Sequence, residues 1–235
     1  MSANLDQRHI VPELLDSLPL DDARAVGSRD DLIWVNALML QSSIMAGLLN
    51  RHVLTPPKRI LDLGSGDGAF MLAVARRMRN VWRDVELVML DHADLLTDAR
   101  RADFAKLGWR AEPVVADLFA WLAQSGTSTC DVTCANLVLH HFSDAALRHL
   151  FAFLRERTSI FVATEPRRNV VALGGSWLLR LFGVNDVTMH DAAASVRAGF
   201  AGNELTRLWP TTDGMRFEER RRGPFTHAFA AGRTR

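Results

Sequence analysis

Three glycines spaced two residues apart are the first feature of the sequence that could bind a ligand. Gly64, Gly66 and Gly68 lie in RILDLGSGDGAF, between an apolar run and a segment of helical periodicity. Because glycine has no Cβ, such a turn lets backbone amides approach a ligand closely. The spacing differs from the dinucleotide turn G-x-G-x-x-G, and no Lys-Ser or Lys-Thr pair closes a phosphate-binding loop. The turn would also serve as a plain strand-to-helix connection.

Two aspartates follow later apolar runs, where they could contact the same ligand. Asp91 ends VELVMLD and Asp117 ends VVAD. If both runs are parallel strands, their carboxyl ends open into one crevice. There Asp91 can accept the hydroxyl protons of a ribose, and Asp117 can face the exocyclic amine of an adenine that Leu118 covers. Each aspartate could instead be a turn residue or a helix N-cap. With the glycine turn, this order favours a phosphate-free adenosine cofactor, S-adenosylmethionine.

The elements that must position these residues alternate along the chain. Short apolar runs of β type are separated by longer segments of helical periodicity, which predicts a parallel sheet covered by helices. Ser143 is the expected N-cap of one helix. Strands are predicted at 59–65, 85–92, 112–118, 130–136 and 159–166. Helices are predicted at 69–80, 95–107, 119–125 and 144–158, and a terminal hairpin at 215–222 and 225–233.

The motifs ILDLGSGDGAF, LDHAD, VVADLF and CDVTCANLVLHHFSD resemble those of the class I S-adenosylmethionine-dependent methyltransferases, over residues 55–235. The resemblance implies a doubly wound, mostly parallel, Rossmann-like sheet of seven strands whose last strand is antiparallel. A narrower similarity to bacterial small-molecule methyltransferases, some of which accompany polyketide synthases, rests on HDAAASVRAGFAGNELTRLWP and PFTHAFAA.

The resemblance also implies a role for each position of the cofactor site. The glycine turn would wrap the methionine part of the cofactor, and Asp62 would fix the turn or the cofactor's amino group. Asn136 would line the methionine end, Asp91 would hold the ribose and Asp117 would face the adenine. The full expected cofactor-binding set is Asp62, Gly64, Ser65, Gly66, Gly68, Asp91, His92, Asp117, Leu118 and Asn136.

Two segments outside these motifs are expected to surround the crevice. Residues 1–54 contain helical patterns that predict an N-terminal cap, ahead of a methyltransferase domain at 55–235. Residues 169–209 are long and apolar, a composition that suits a lid inserted after the fifth strand for a greasy or aromatic substrate. The same apolar composition is also typical of ordinary helix core.

Three histidines are candidate bases for the methyl acceptor. Methyl transfer to a hydroxyl requires alignment with the methyl group and loss of the hydroxyl proton. His140 and His141 follow the fourth strand, which is expected to place one or the other at the pocket rim, and His141 is expected to be partly architectural. His190 in the predicted lid competes with them, although it could be a surface or capping residue. Glu165 could orient the acceptor or cap a turn, and alignment alone could also suffice.

The composition of the chain limits the kinds of partner that it is expected to bind. The formal charge is +1, from 28 basic and 27 acidic residues, so nothing drives bulk attraction to nucleic acid or an anionic membrane. Cys130 and Cys134 match neither a zinc knuckle nor a redox pair and are expected to be core thiols. We find no apolar run of about 18 residues and no secretory signal, which predicts a soluble cytoplasmic protein.

The sequence therefore predicts transfer of a methyl group from S-adenosylmethionine to a hydroxyl of a small aromatic or polyketide-like metabolite. No metal is expected, because no converging carboxylate cluster can be assembled from the sequence. Transfer to carbon or nitrogen, an RNA methyltransferase and a non-catalytic cofactor-binding protein remain alternatives, although no Asn-Pro-Pro-aromatic motif follows the fourth strand. A homodimer is left open.

Overall fold

Seven strands form one mixed sheet in the computed structural model, which describes residues 5–124, 129–211 and 213–233. The order across the sheet is β3-β2-β1-β4-β5-β7-β6. The strands are β1 (Arg59–Leu63), β2 (Val85–Asp91), β3 (Trp109–Val115), β4 (Cys130–Asn136), β5 (Thr158–Pro166), β6 (Met215–Arg222) and β7 (Thr226–Arg233). This sheet confirms the predicted doubly wound, seven-stranded architecture.

The first five strands are parallel, so their carboxyl ends share one edge. β1 pairs with β2 on one side and with β4 on the other, and Leu63 at its end lies opposite Leu90 and Ala135. The strand order reverses between β1 and β4, which is the place where open α/β sheets bind ligands. The glycine turn after β1 therefore lies at this switch point.

Ten α-helices occur in the described residues. They are α1 (Leu14–Ser17), α2 (Ala23–Leu38), α3 (Gln41–His52), α4 (Ala69–Met78), α5 (Asp98–Lys106), α6 (Leu118–Gln124), α7 (Asp144–Arg157), α8 (Val170–Leu178), α9 (Asp186–Ala198) and α10 (Glu204–Leu208). Two 3-10 turns cover Leu139–His141 and Leu179–Phe182. The predicted N-cap Ser143 accepts a hydrogen bond from the amide of Ala146 at 3.2 Å. Predicted helix 95–107 begins only at Asp98, because Thr97 caps its first turn.

The sheet separates two apolar cores. One core lies under α3, α4 and α5 and contains Met45, Met71 and Phe104. The other lies under α7 and α10, where Phe151 stacks on Trp209 with ring centroids 4.9 Å apart. Cys130 and Cys134 are buried free thiols, one in each core, as expected from their apolar surroundings.

The N-terminal residues divide between the core and the edge of the sheet. α3 packs on α4, β5 and β7, and its Leu48 and Leu49 are fully buried in the first core. Residues 5–18, here called the N-terminal strap, instead run across α9 and the turn after β4. Thus only part of the stretch expected to form a cap lies over the carboxyl edge of the strands.

The last two strands form the predicted hairpin. β7 runs antiparallel to β5 and inserts between β5 and β6. All but the last of its eight residues are buried. Among the described residues, no single helix has the length and apolarity to cross a membrane; α2 and α3, bent by 57°, pass that test only as a pair.

Candidate active site

The glycine turn is left-handed at all three glycines. Their φ angles are +62° at Gly64, +53° at Gly66 and +79° at Gly68, a region that L side chains rarely adopt. A Cβ at Gly64 would lie 2.0 Å from Cγ2 of Val138, whereas a Cβ at Gly66 would meet nothing within 4 Å. The turn therefore packs tightly on the segment after β4 and leaves open space beside Gly66.

Asp91 joins the end of β2 to the glycine turn. Its Oδ2 accepts a hydrogen bond from the amide of Gly66 at 2.8 Å, and its Oδ1 lies 2.8 Å from Nδ1 of His92. The amides of Gly64 and Ser65 donate to the Leu90 carbonyl on the same strand. These contacts hold the turn against the strand end where a ribose is expected.

Asp62 lies beneath the turn as a buried acid. Its side chain is near Asp91, and burial followed by this neighbouring charge raises its pKa well above the usual range. Burial therefore favours the protonated form of this carboxyl group, and a protonated carboxyl can donate a hydrogen bond. A role in fixing the turn or meeting a cofactor group stays a prediction.

Asp117 lies two residues beyond the end of β3, since that strand ends earlier than predicted. Its Oδ1 accepts a hydrogen bond from the amide of Ala120 at 2.8 Å, so it is the N-cap of α6. Leu118 is the first residue of that helix and packs against the second core. Asp117 is therefore a helix N-cap, which is one of the alternatives raised by the sequence. Its side chain is exposed to solvent.

Asn136 ties three elements together at the end of β4. Its Oδ1 accepts from the Thr164 hydroxyl of β5 at 2.7 Å, and its Nδ2 donates to Oδ1 of Asn36 in α2 at 3.0 Å. Asn36 was not singled out from the sequence, because nothing local distinguishes it from other polar residues of a surface helix.

His140 is buried between two carboxylates. Its Nδ1 lies 2.7 Å from Glu165 Oε2, and its Nε2 lies 3.3 Å from Glu13 Oε1. Burial opposes the charged imidazole, but the hydrogen bonds with Glu13 and Glu165 outweigh it and raise the pKa of His140 to about 9. The expected place of His140 at the pocket rim is wrong, because the side chain is only 3% exposed.

Glu165 anchors this arrangement from the end of β5. Its carboxylate accepts hydrogen bonds from the amides of Val138 and Leu139 at 3.0 and 2.9 Å, as well as from His140. Burial would raise its pKa, but the bonds from His140 and these amides lower it. Glu165 thus holds the turn after β4 and does not cap the turn before Pro166.

Glu13 of the strap completes the cluster and was missed in the sequence. It accepts a hydrogen bond from the Ser195 hydroxyl of α9 and approaches His140 from the side opposite Glu165. Despite burial, its contact with His140 lowers the pKa of its carboxyl. It lies 127 residues from His140 in sequence, so no local pattern could have revealed the pair.

His141 is the more accessible member of the histidine pair. Its side chain is 28% exposed, and its ring nitrogens lie 3.9 Å from Glu13 and 3.7 Å from Asp16, beyond hydrogen-bond distance. Burial and the neighbouring His140 charge lower its pKa from 6.5. Asp16 interacts electrostatically with both His141 and His92.

His190 lies apart from this pair on α9. It is half exposed, and its Nδ1 is 2.9 Å from Asp191 Oδ1. Asp191 in turn accepts hydrogen bonds from the amides of Leu14 and Leu15 at 2.8 and 3.0 Å. The structure therefore connects His190 to the strap through Asp191.

Residues 169–209 form α8 to α10 and the second 3-10 turn. Some of their apolar side chains are buried, since Leu205 and Leu208 enter the second core. Others, on and after α8, are exposed. The Phe182 ring lies 5.3 Å from the Trp34 ring of α2. The exposed apolar side chains here are Val170, Val171, Trp177, Leu178, Leu181 and Phe182.

The chain resembles known methyltransferases in sequence and in fold. Residues 60–157 match a family model described as a methyltransferase domain. The plantazolicin methyltransferase BpumL, solved in complex with SAH, aligns over 92% of each chain with 13% identity and a TM-score of 0.63. An O-methyltransferase family protein from Burkholderia thailandensis aligns over 91% of this chain and 61% of its own, with 18% identity and a TM-score of 0.58.

Human N-acetylserotonin methyltransferase in complex with SAM also aligns, over 94% of this chain and 61% of its own, with 13% identity and a TM-score of 0.58. This chain thus spans about three fifths of the latter two proteins. No curated protein sequence matches it significantly. At these identities the solved structures establish a common fold. Together with the methyltransferase domain matched at residues 60–157, that fold supports a class I S-adenosylmethionine-dependent methyltransferase.

Proposed function

We propose that the enzyme transfers a methyl group to a hydroxyl of a small aromatic or polyketide-like metabolite, with His141 as the base. The observation that carries this proposal is the position of His141, a partly exposed imidazole of lowered pKa in the turn after β4. Such an imidazole is neutral at pH 7 and can accept a proton.

The cofactor site fits S-adenosylmethionine, which would supply the methyl group. Open space beside Gly66 admits a ligand to the backbone of the turn, and the Asp91 carboxylate faces the same place. Asp91 would accept from the ribose hydroxyls, and Asp117 and Leu118 would meet the adenine. The methionine end would lie near the remaining expected residues, namely Asp62, Gly64, Ser65, Gly68, His92 and Asn136.

The other two histidines take different parts in this proposal. His140 is held as an imidazolium between Glu13 and Glu165, so it positions the turn that carries His141 and lowers the pKa of its neighbour. His190 is the alternative base, because its second ring nitrogen remains open while Asp191 holds the first. Which imidazole acts is decided by the variants below.

The acceptor is assigned to the aromatic class from the apolar segment at residues 169–209. Trp177 and Phe182 expose large apolar surfaces there, and Trp34 of α2 contacts Phe182. Apolar side chains with few convergent polar groups are typical of small-molecule sites. Two of the similar structures are described as an O-methyltransferase family protein and an N-acetylserotonin methyltransferase.

Isotope-labelled S-adenosylmethionine tests the reaction directly. The enzyme is incubated with a panel of phenols, hydroxylated polyketides and quinones, and the labelled product is analysed by NMR. We expect label on a hydroxyl oxygen of an aromatic acceptor. Label on nitrogen or carbon would contradict the assignment to oxygen, and label in RNA or protein would contradict the small-molecule acceptor.

The base is tested with His141→Gln. General-base catalysis contributes about 10²- to 10⁴-fold, so kcat should fall by that amount while cofactor affinity, measured by calorimetry, stays unchanged. His9→Gln is the matched control, because His9 is exposed on the strap. If His190→Gln lowers kcat and His141→Gln does not, the base belongs to α9.

A further inference from the structure

A carboxylate and two imidazoles converge where the strap crosses the turn after β4. Glu13, His140 and His141 each offer one ligand atom, and these atoms lie within 4.8 Å of one another. The carboxylate comes from the strap and the two histidines are adjacent in sequence, with ring centroids 4.3 Å apart. A cluster of two imidazoles and one carboxylate is a donor set suited to zinc and related transition metals.

The distance between the ligand atoms of Glu13 and His140 resembles the distance between two ligands on one metal ion. Glu13 Oε1 and His140 Nε2 are 3.3 Å apart, whereas a hydrogen bond between charged groups is usually about 2.7–2.9 Å. Ligands at about 2.0–2.1 Å from a tetrahedral zinc ion are about 3.3 Å from each other. His141 lies slightly farther, at 3.9 Å from Glu13, and its side chain is 28% exposed.

Glu165 prepares His140 for metal binding. Its carboxylate is 2.7 Å from Nδ1, which fixes the proton on that nitrogen and turns Nε2 toward Glu13. A carboxylate that holds the far nitrogen of a histidine is the usual partner of a metal-ligating imidazole. The backbone amides of Val138 and Leu139 keep this carboxylate in place.

Among the described residues, carboxylates outnumber cations around the cluster, and the one arginine against it, Arg8, donates to the His140 carbonyl. Glu13, Asp16 and Glu165 surround the two imidazoles, and Asp191 contributes a further negative charge to Asp16. Glu13 and Asp191 repel the charged form of Asp16. A divalent cation relieves this repulsion and replaces the proton that otherwise bridges Glu13 and His140.

We propose that Glu13, His140 and His141 bind one divalent transition metal ion of the zinc type, with a fourth coordination position left for water. Binding depends only on this cluster. Its effect on catalysis rests on the proposed function. A metal ion bound to His141 occupies the nitrogen lone pair that would take the proton from the substrate hydroxyl. Bound metal and the base therefore exclude each other, and zinc inhibits methyl transfer to a hydroxyl.

The binding test uses tag-free protein treated with a chelator and then dialysed against Zn²⁺ or Co²⁺ without cofactor or acceptor. We expect one ion per chain by metal analysis and the visible absorption of tetrahedral Co²⁺. Glu13→Gln and His141→Gln should each weaken binding at least about 10-fold, since each removes a ligand. His9→Gln on the same strap should bind like the unaltered protein. Circular dichroism confirms the fold of each variant.

Two results would overturn the site. The first is a lack of stoichiometric binding by the unaltered protein, and the second is binding by Glu13→Gln and His141→Gln that is as tight as in the unaltered protein. Zinc inhibition of labelled methyl transfer is measured separately. If zinc binds through these ligands but His141→Gln methylates normally, the metal site stands and the assigned base fails.

Discussion

Asp91 connects the ligand-binding space to the glycine turn through one carboxylate. Asp91→Asn keeps the shape of the side chain but removes the charge and one acceptor atom. We expect weaker binding of S-adenosylmethionine and of its demethylated product by about 1–3 kcal/mol, the cost of leaving hydrogen-bonding groups unpaired. Calorimetry measures both affinities. Asp94→Asn is the control, since Asp94 only accepts from the Leu96 amide at an exposed site; an equal loss there would point to a general charge effect.

The buried Glu13–His140–Glu165 arrangement links stability to pH. The pKa of His140 is about 9 in the folded protein, above the ordinary 6.5, so its contribution to stability is complete below pH 6.5 and is lost as pH rises through 9. The lowered pKa of Glu165 gives a contribution that is lost as pH falls below its ordinary 4.5. Urea unfolding should therefore show declining stability from pH 6.5 to 9.

His140→Gln should flatten that decline, although the variant is less stable overall because a buried partner is lost. His149→Gln serves as the control, because His149 is an exposed residue stacked on Phe119. An unchanged slope in His140→Gln would show that another group titrates in this range.

The rate of methyl transfer should follow the lowered pKa of His141. Its imidazole must be neutral to accept a proton, so kcat/KM should stay level from pH 8 down to 6.5 and fall only under more acidic conditions. Asp16→Asn should move this fall further toward acid, because the Asp16 charge raises the pKa of His141. A fall centred above pH 6.5 would indicate a different base.

Residues that act within one turn could be predicted from the sequence, and residues that meet across the fold could not. The three glycines and Asp91 were recognisable, since their spacing and strand-end positions carry the signal. Glu13 gave no such signal, because its partners lie in α9 and in the turn after β4. The burial of His140 was also unpredictable, since it depends on the strap.

Among the elements, the turn between β1 and α4 allows the same substitution to be compared at two glycines. Gly64→Ala and Gly66→Ala each place a side chain at positive φ, which costs about 1–2 kcal/mol of unfolding free energy. Only Gly64→Ala also overlaps Val138, which should add about 1–3 kcal/mol. Val138→Ala should rescue part of the loss in Gly64→Ala and none of the loss in Gly66→Ala, as measured by urea unfolding. Equal rescue would show that Val138 is not the obstacle.

Most strands and helices follow from periodicity, but their assignment to layers does not. The hairpin of β6 and β7 was predicted from two β-like runs around Gly223 and Pro224. α3 has a helical pattern that suits either a cap or a core helix, and only its packing on β5 and β7 distinguishes the two. β3 lies three residues earlier than predicted, since Asp117 caps α6.

At the scale of the whole molecule, Arg8 fastens the strap. Its guanidinium donates to the carbonyls of His140, Phe142 and Ala198 and pairs with Asp144. Arg8→Ala should lower the free energy of local opening by about 1.5–3 kcal/mol, the worth of a hydrogen bond to a charged group. Hydrogen exchange in residues 5–18 would then be about 10- to 100-fold faster, without change in the sheet. Arg24→Ala, at an exposed position of α2, should leave exchange in the strap unchanged.

The insertion of β7 between β5 and β6 has a consequence for biosynthesis. β7 follows every other described strand in the chain, yet it pairs along almost the whole length of β5. While residues 226–233 are still being made on the ribosome, β5 has an unpaired edge and β6 has no partner in the sheet. Exposed edges of this kind invite pairing with other chains, so nascent molecules should depend on chaperones until β7 emerges.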